Sequence, residues 1–231
     1  MTDLKILGID TSGKIASVAI TDGDRLLWEK SVYTRLTHSQ VILPMVKQAL
    51  EETELDFSSI DCVAVANGPG SYTGLRIGIG AVKGMCMGEP HLKCAGISTL
   101  LSLAYNCQSF EGKIITVMRA RPKIVYFSVF KCENGKIFRL CEDKVCGEEE
   151  ILRSVGSGER IMLVGDCAAE IKAEYFDGDV NVLAANPANV LQRASSLCLA
   201  AEEDPSLIKT ADKLEVSYLQ ATKAEKDKAH R

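Results

Sequence analysis

The sequence predicts an α/β fold in which the element order βββαβα is laid down twice. Three patterns carry that reading: short stretches that alternate apolar and polar residues, helical segments with an apolar stripe, and short apolar runs rich in β-branched residues between the helices. At 231 residues the chain has room for one large domain or two small ones. The repeat divides it into an N-terminal lobe at 1–107 and a C-terminal lobe at 108–231, the latter with a charged tail at 222–231.

The first lobe opens with an alternating strand at 4–10 and the polar turn Asp10-Thr11-Ser12-Gly13-Lys14. Strands at 15–21 and 25–33 are joined by the hairpin turn Asp22-Gly23-Asp24. A helix follows at about 37–53. Thr37 is its N-cap and Gln40 stands three residues on, as in a capping box. Leu43, Val46 and Leu50, with Ile42 and Ala49, form its apolar stripe. A short run at 61–66 reads as a buried strand, then come a glycine-rich turn, a helix at 71–87 and a short strand at 94–97. Ser98 caps a third helix that runs to about Cys107. The order then restarts, with strands at 113–118, 124–131 and 136–143 and a hairpin turn at Glu133-Asn134-Gly135. A helix at 148–155, a strand at 160–164, a helix at 168–175, a strand at 179–183 and a helix at 187–201 complete it, with Pro187 in the first turn of the last. In each half three antiparallel strands precede parallel crossover units.

Composition narrows the function. Hydrophobic residues are 46% and charged residues 25%, as in an ordinary folded protein. The net charge of −4 gives no overall attraction to nucleic-acid phosphate, so any nucleic-acid role would need a local basic patch or a basic partner. There is no apolar run of about 18 residues and hence no expected membrane span. The N-terminus lacks the basic stretch and apolar core of a signal peptide. Nine cysteines, none in a C-x-x-C pair and several inside apolar runs, read as reduced, buried thiols of a cytoplasmic protein. The three histidines stand at no ligand spacing from one another or from a cysteine, so no metal site is expected.

The sharpest segment is Asn67-Gly68-Pro69-Gly70-Ser71-Tyr72-Thr73-Gly74-Leu75-Arg76-Ile77-Gly78-Ile79-Gly80. Its glycines are one residue too widely spaced for the dinucleotide fingerprint. No P-loop is present, and Ser71 lies in no G-x-S-x-G elbow. Along the helix the glycines form two rows. Gly70, Gly74 and Gly78, completed by Ala81, make one; Gly80, Gly84 and Gly88 make the other, roughly 120° away. Each interior glycine costs a helix about 0.5–1 kcal/mol relative to alanine. Close backbone approach offsets that cost, either inside the chain or against another protein.

Leu7-Gly8-Ile9-Asp10-Thr11-Ser12, the helix start His38-Ser39-Gln40 with Leu43-Pro44, and Gly68-Pro69-Gly70-Ser71-Tyr72-Thr73-Gly74-Leu75-Arg76-Ile77-Gly78 together resemble the TsaB (YeaZ) family. The resemblance covers residues 1–105 strongly. After that it rests on Ala120-Arg121, Val125-Tyr126 and Ser217-Tyr218-Leu219. It implies a two-lobed actin-like ATPase fold of ribonuclease-H-like topology. It also implies a subunit of the machinery that makes threonylcarbamoyladenosine in tRNA, with the catalytic relative TsaD, the ATPase TsaE and a second copy of the chain as partners. On this reading the chain has no catalytic residue of its own. His38, Leu43, Val46, Gly70, Tyr72, Gly74, Arg76, Gly78 and Ala81 form the interface, and no cofactor is required beyond ATP or ADP at the interface shared with TsaD. Asp10, Thr11 and Ser12 are what remains of a nucleotide site. The family's usual acids at the start of the second lobe are replaced by Arg119 and Ile124. A cation there repels Mg²⁺, which wants oxygen ligands. The alternatives are an autonomous actin-like ATPase or phosphotransferase and, more remotely, a metallopeptidase. Thr99 and Leu103 stand where TsaD carries its metal-binding histidines.

Overall fold

Two central strands with almost no polar residue in their middles set the architecture. In the computed structural model, which describes residues 3–33, 36–156 and 158–219, both lie at the centre of a six-stranded sheet. They are β1 (Lys5–Asp10) and β4 (Cys62–Gly68), and burial on both faces is why they read as apolar runs. The rest of the first lobe is β2 (Ile15–Asp22), β3 (Arg25–Tyr33), α1 (His38–Glu52), α2 (Tyr72–Gly88), β5 (Lys93–Ser98) and α3 (Thr99–Tyr105). The second comprises β6 (Gly112–Arg121), β7 (Ile124–Glu133), β8 (Lys136–Gly147), α4 (Glu149–Ser154), β9 (Ile161–Val164), α5 (Ala168–Tyr175) and β10 (Val182–Ala184). The chain closes with α6 (Ala194–Glu203) and β11 (Ile208–Lys209). The predicted βββαβα order is present twice. The tail expected at 222–231 lies outside the described residues.

The first sheet runs β11-β5-β4-β1-β2-β3 and the second β10-β9-β6-β7-β8. β1 pairs antiparallel with β2 (Leu7 opposite Ile20) and parallel with β4 (Ile9 opposite Val65). β6 repeats the arrangement, antiparallel to β7 and parallel to β9. Side chains alternate across the first sheet. Leu7, Ile9, Val63 and Val65 meet α1 and α2 on one face, while Ile6, Cys62, Ala64 and Ala66 meet α6 on the other. Leu100, Leu103 and Ala104 of α3 pack on Ile114, Met118 and Phe130 of the second sheet, so α3 ties the lobes together.

Three expectations are corrected. The chain does not divide cleanly at 107/108, because α6 packs on β1 and β2 and β11 pairs with β5, returning residues 194–209 to the first lobe. The last helix begins at Ala194, not near Pro187. Asn106 Nδ2 takes the carbonyls of Asn189 and Leu191, each at 2.8 Å, and Glu29 of β3 accepts the Ser195 N–H at 3.1 Å, placing the helix start there. On α1 the buried stripe is Ile42, Met45, Val46, Ala49 and Leu50. Leu43, expected inside, is 55% exposed.

Candidate functional site

Two places combine the singled-out residues: helix α2 with its neighbour α1, and the cleft between the lobes.

The turn after β1 lies directly against the start of α2. Thr11 Oγ1 donates to the Gly74 carbonyl at 2.8 Å, and the Ser71 N–H donates to the Ser12 carbonyl at 2.7 Å. Ser71 caps the helix, its hydroxyl accepting the Gly74 N–H at 3.2 Å. This approach needs bare backbone. A Cβ at Gly74 would lie 2.0 Å from the Thr11 carbonyl oxygen, and one at Gly70 2.4 Å from that of Ser12. One at Gly78 would lie 2.5 Å from Thr11 Oγ1. Gly70, Gly74 and Gly78 are therefore filled by the chain's own turn, which corrects their assignment to a partner interface. Val46, 3% exposed, is likewise core. Ala81 is half-buried. His38 is half-buried at the start of α1. Burial holds its imidazole below the usual range, against the opposing pull of a hydrogen bond with the Thr11 backbone.

The outer side of α2 is the reverse. Tyr72, Arg76, Gly80, Gly84 and Gly88 follow one another at four-residue steps along a single ridge. Among the described residues, a Cβ on any of those three glycines would meet nothing within 4 Å. Exposed Met87 lies on the same side. On another face of α2, where Met85 meets α1, a groove of about 360 Å³ is lined by Leu43, Val46, Leu50, Leu55, Phe57 and Met85, and none of the three open glycines forms its wall.

The interlobe cleft, about 380 Å³, is lined by Ser12, Lys14, Gly70, Arg119, Asp166 and Gln192 among others. Asp10 does not line it. Its carboxylate is wholly buried, with Oδ1 accepting from the Ser12 N–H at 2.8 Å and hydroxyl at 2.7 Å, and Oδ2 partnerless. Burial pushes it up to about 6, against the pull of those two bonds. Arg119, at the end of β6, is ion-paired with Glu148 and lies 3.0 Å from Glu170. Burial alone would raise the Glu148 carboxyl, but Arg119, Tyr175 and Lys123 hold it below the usual range. The acid that does line the cleft is Asp166, after β9, accepting the Arg119 backbone N–H at 2.8 Å. Sequence reasoning missed it by looking for the second acid at the end of β6. The available signal was Gly165-Asp166 between a strand and a helix. Gln192 packs its amide 2.4 Å from where a Cβ of Gly13 would sit, which plugs the turn. With Asp10 withdrawn and Asp166 the one acid in a lining that also holds Lys14 and Arg119, these residues do not fit a Mg–nucleotide complex.

Among the described residues no three His, Cys, Asp or Glu side chains come together as a metal-ligand set. All nine cysteines are free, and seven are buried. Burial pushes the thiols of Cys94 and Cys107 up to about 11 and that of Cys198 up to about 12, which makes them poor nucleophiles. No described helix is long and apolar enough to cross a membrane.

Known proteins resemble much of the chain. The family model "TsaD: tRNA N6-adenosine threonylcarbamoyltransferase" matches residues 33–222. The Bacillus subtilis tRNA threonylcarbamoyladenosine biosynthesis protein TsaB is 30% identical over 141 residues, 61% of this chain and 61% of that protein. Its Escherichia coli counterpart is 31% identical over 151 residues, 64% of each. The chain thus spans less than two thirds of the length of these curated relatives. The solved structure of YeaZ from Pseudomonas aeruginosa superposes with a TM-score of 0.78 at 25% identity, covering 94% of this chain and 100% of that one. Component A of the Acidaminococcus fermentans (R)-2-hydroxyglutaryl-CoA dehydratase shares only the fold, with a TM-score of 0.55 at 11% identity and 88% and 99% coverage. The architecture is a mixed α/β fold built on two sheets, shared with the Pseudomonas aeruginosa YeaZ structure. By the extent of the family match and the TsaB and YeaZ relatives, the chain belongs to the TsaD family, in its TsaB (YeaZ) branch.

Proposed function

We propose that this chain is a non-catalytic subunit in the formation of tRNA threonylcarbamoyladenosine. It docks on its TsaD-type paralogue and holds that enzyme competent to transfer the threonylcarbamoyl group to the adenosine 3′ of the anticodon. The observation that carries this is the two-sidedness of α2. One glycine row is consumed by the chain's own turn, while among the described residues nothing approaches Gly80, Gly84 and Gly88, which stay bare and open. Bare backbone that nothing among the described residues requires suits the close approach of a partner helix. The cleft supports the non-catalytic half of the reading, since its lining offers two cations against one acid.

On this reading a second copy of the chain competes for the same face, and TsaE joins the assembly from the cytoplasm. ATP or ADP, where it acts, sits at the shared interface rather than in the cleft, and tRNA is met through the complex. The test is Gly84→Leu, which places a branched side chain on the open row without touching the core. The variant is expected to keep its melting temperature, lose co-purification with the TsaD-type paralogue, and fail to support tRNA modification in a reconstituted assay. Undiminished capture by Gly84→Leu would show that the docking face lies elsewhere. Magnesium-dependent ATP turnover by the purified chain, abolished by Asp10→Ala, would replace the non-catalytic reading with an autonomous ATPase.

A further inference from the structure

After β11 the chain does not leave the first lobe. It crosses the carboxyl ends of β4 and β5 as a strap. Leu214 is buried in the core beside Gly96, and the Ser217 N–H donates to the Asn67 carbonyl at 2.8 Å. The crossing is close. Gly68 has a φ of +131°, and a Cβ there would lie 2.3 Å from the Ser217 carbonyl oxygen. The strap then delivers Tyr218 to the first turn of α2. Its ring stacks on that of Tyr72 with centroids 5.1 Å apart. Its hydroxyl accepts a hydrogen bond from Arg76 Nε at 2.8 Å. The Arg76 guanidinium lies 4.0 Å from the Tyr72 ring centre and 5.9 Å from that of Tyr218.

This cluster is fixed, yet it stays at the surface. Tyr72 is 42% and Tyr218 40% exposed, and Arg76 is exposed as well. Tyr and Arg side chains held rigid in the free protein are the groups that dominate interface energies, because little further ordering is needed on binding. The cluster is also continuous with the open row, since Tyr72 and Arg76 occupy the two ridge positions before Gly80. The charged residues of α2 are Arg76 and Lys83, with no acid between Tyr72 and Gly88. The α2 ridge itself thus contributes only positive charge, beside Asp212 near Lys83, and this favours a partner helix that carries carboxylates.

We propose that residues 214–219 complete the docking face, with Tyr218 a positioning residue that holds Tyr72 and Arg76 as a preformed anchor for an acidic helix of the TsaD-type paralogue. This rests on the docking reading above and adds to it that α2 is not recognised alone.

The test titrates full-length chain against the purified paralogue and compares Tyr218→Ala, Tyr218→Phe and Arg76→Ala. Tyr218→Ala is expected to weaken binding by about tenfold or more, as loss of an anchor does. Its melting temperature should stay close to that of the parent, because the Tyr218 ring is surface-exposed. Tyr218→Phe keeps the stack and loses only the hydroxyl, so it should weaken binding several-fold less. In the Arg76→Ala background, Tyr218→Ala should cost little more, which a purely structural role would not produce. Parental affinity in Tyr218→Ala, or losses that add fully with Arg76→Ala, would overturn the proposal. So would reduced retention of tRNA by the Tyr218→Ala chain alone with partner affinity unchanged, which would make the tyrosine pair a base-stacking platform. If Gly84→Leu also leaves binding intact, the docking reading falls with it. If Gly84→Leu blocks binding and Tyr218→Ala does not, only the strap's role falls.

Discussion

Gly74 and Gly84 lie on the same helix, yet they are glycines for opposite reasons. At Gly74 the Thr11 carbonyl oxygen occupies the place a side chain would take. At Gly84 that place is empty. The first is a condition of folding, because the turn after β1 reaches α2 only across bare backbone. The second is unexplained by anything the described chain does to itself and weakens the helix where it stands. A glycine pattern alone does not separate the two. What separates them is whether the space beside each residue is already taken.

The largest expected effect is on the inner row. Gly74→Ala forces a methyl against the Thr11 carbonyl oxygen, in a turn tied to α2 by the Thr11 hydroxyl and by the Ser12 carbonyl that accepts the Ser71 N–H, so relief requires the turn and helix to part. The cost should reach or exceed the upper end of the roughly 1–3 kcal/mol typical of overpacking. Urea unfolding at neutral pH measures it. Gly78→Ala should cost less, because its nearest neighbour is the Thr11 hydroxyl, which can rotate at the expense of its bond to the Gly74 carbonyl. Equal and negligible effects at both sites would erase the distinction between the rows.

The turn that the inner row leans on carries the next effect. Asp10 has a pKa of about 6 in the fold against 3.8 for a free aspartate, because burial outweighs its bonds to Ser12. The folded chain therefore holds that proton more tightly than the unfolded chain does. Stability from this group is present at low pH and declines as pH rises between about 4 and 6. Above that it is lower by a constant amount on the order of 3 kcal/mol. Asp10→Asn should remove this slope and raise stability above pH 6, less whatever the two Ser12 bonds lose with the charge. Urea midpoints at pH 4, 5, 6 and 7 for parent and variant show it. A variant whose pH profile parallels the parent's would mean that Asp10 does not titrate in that range.

The strand order of both lobes was legible because a buried central strand and a two-layer helix both leave a periodicity of their own, as in residues 4–10 and 61–66. Less was legible where tertiary contacts override local pattern. Leu43 fits an apolar stripe as well as Met45 does, and only packing on the sheet decides that Met45 goes in. The stretch from Pro187 to Arg193 has no local feature that forbids helix, but Asn106 claims its carbonyls from across the fold. The return of α6 and β11 to the first sheet depends on contacts with β1 and β5 that lie far away in sequence. The two glycine rows were visible as rows, with their angular separation. Which one faced outward was not, because that depends on where the turn after β1 comes to rest.

The smallest expected effect discriminates best. Gly84→Ala, and equally Gly80→Ala, replaces a helix-interior glycine where a methyl meets nothing, so each should stabilise the chain by about 0.5–1 kcal/mol. In a chain of this size a full 1 kcal/mol raises the melting temperature by about 2–4 °C. The same methyl holds a partner helix away from the backbone, so affinity for the TsaD-type paralogue should fall while the free subunit gains stability. The two readouts moving in opposite directions is what a docking role requires. A purely internal role makes them move together, and a neutral surface leaves affinity unchanged. A rise in both would mean that these glycines are not kept for docking, and that the open face of α2 is ordinary solvent-exposed helix.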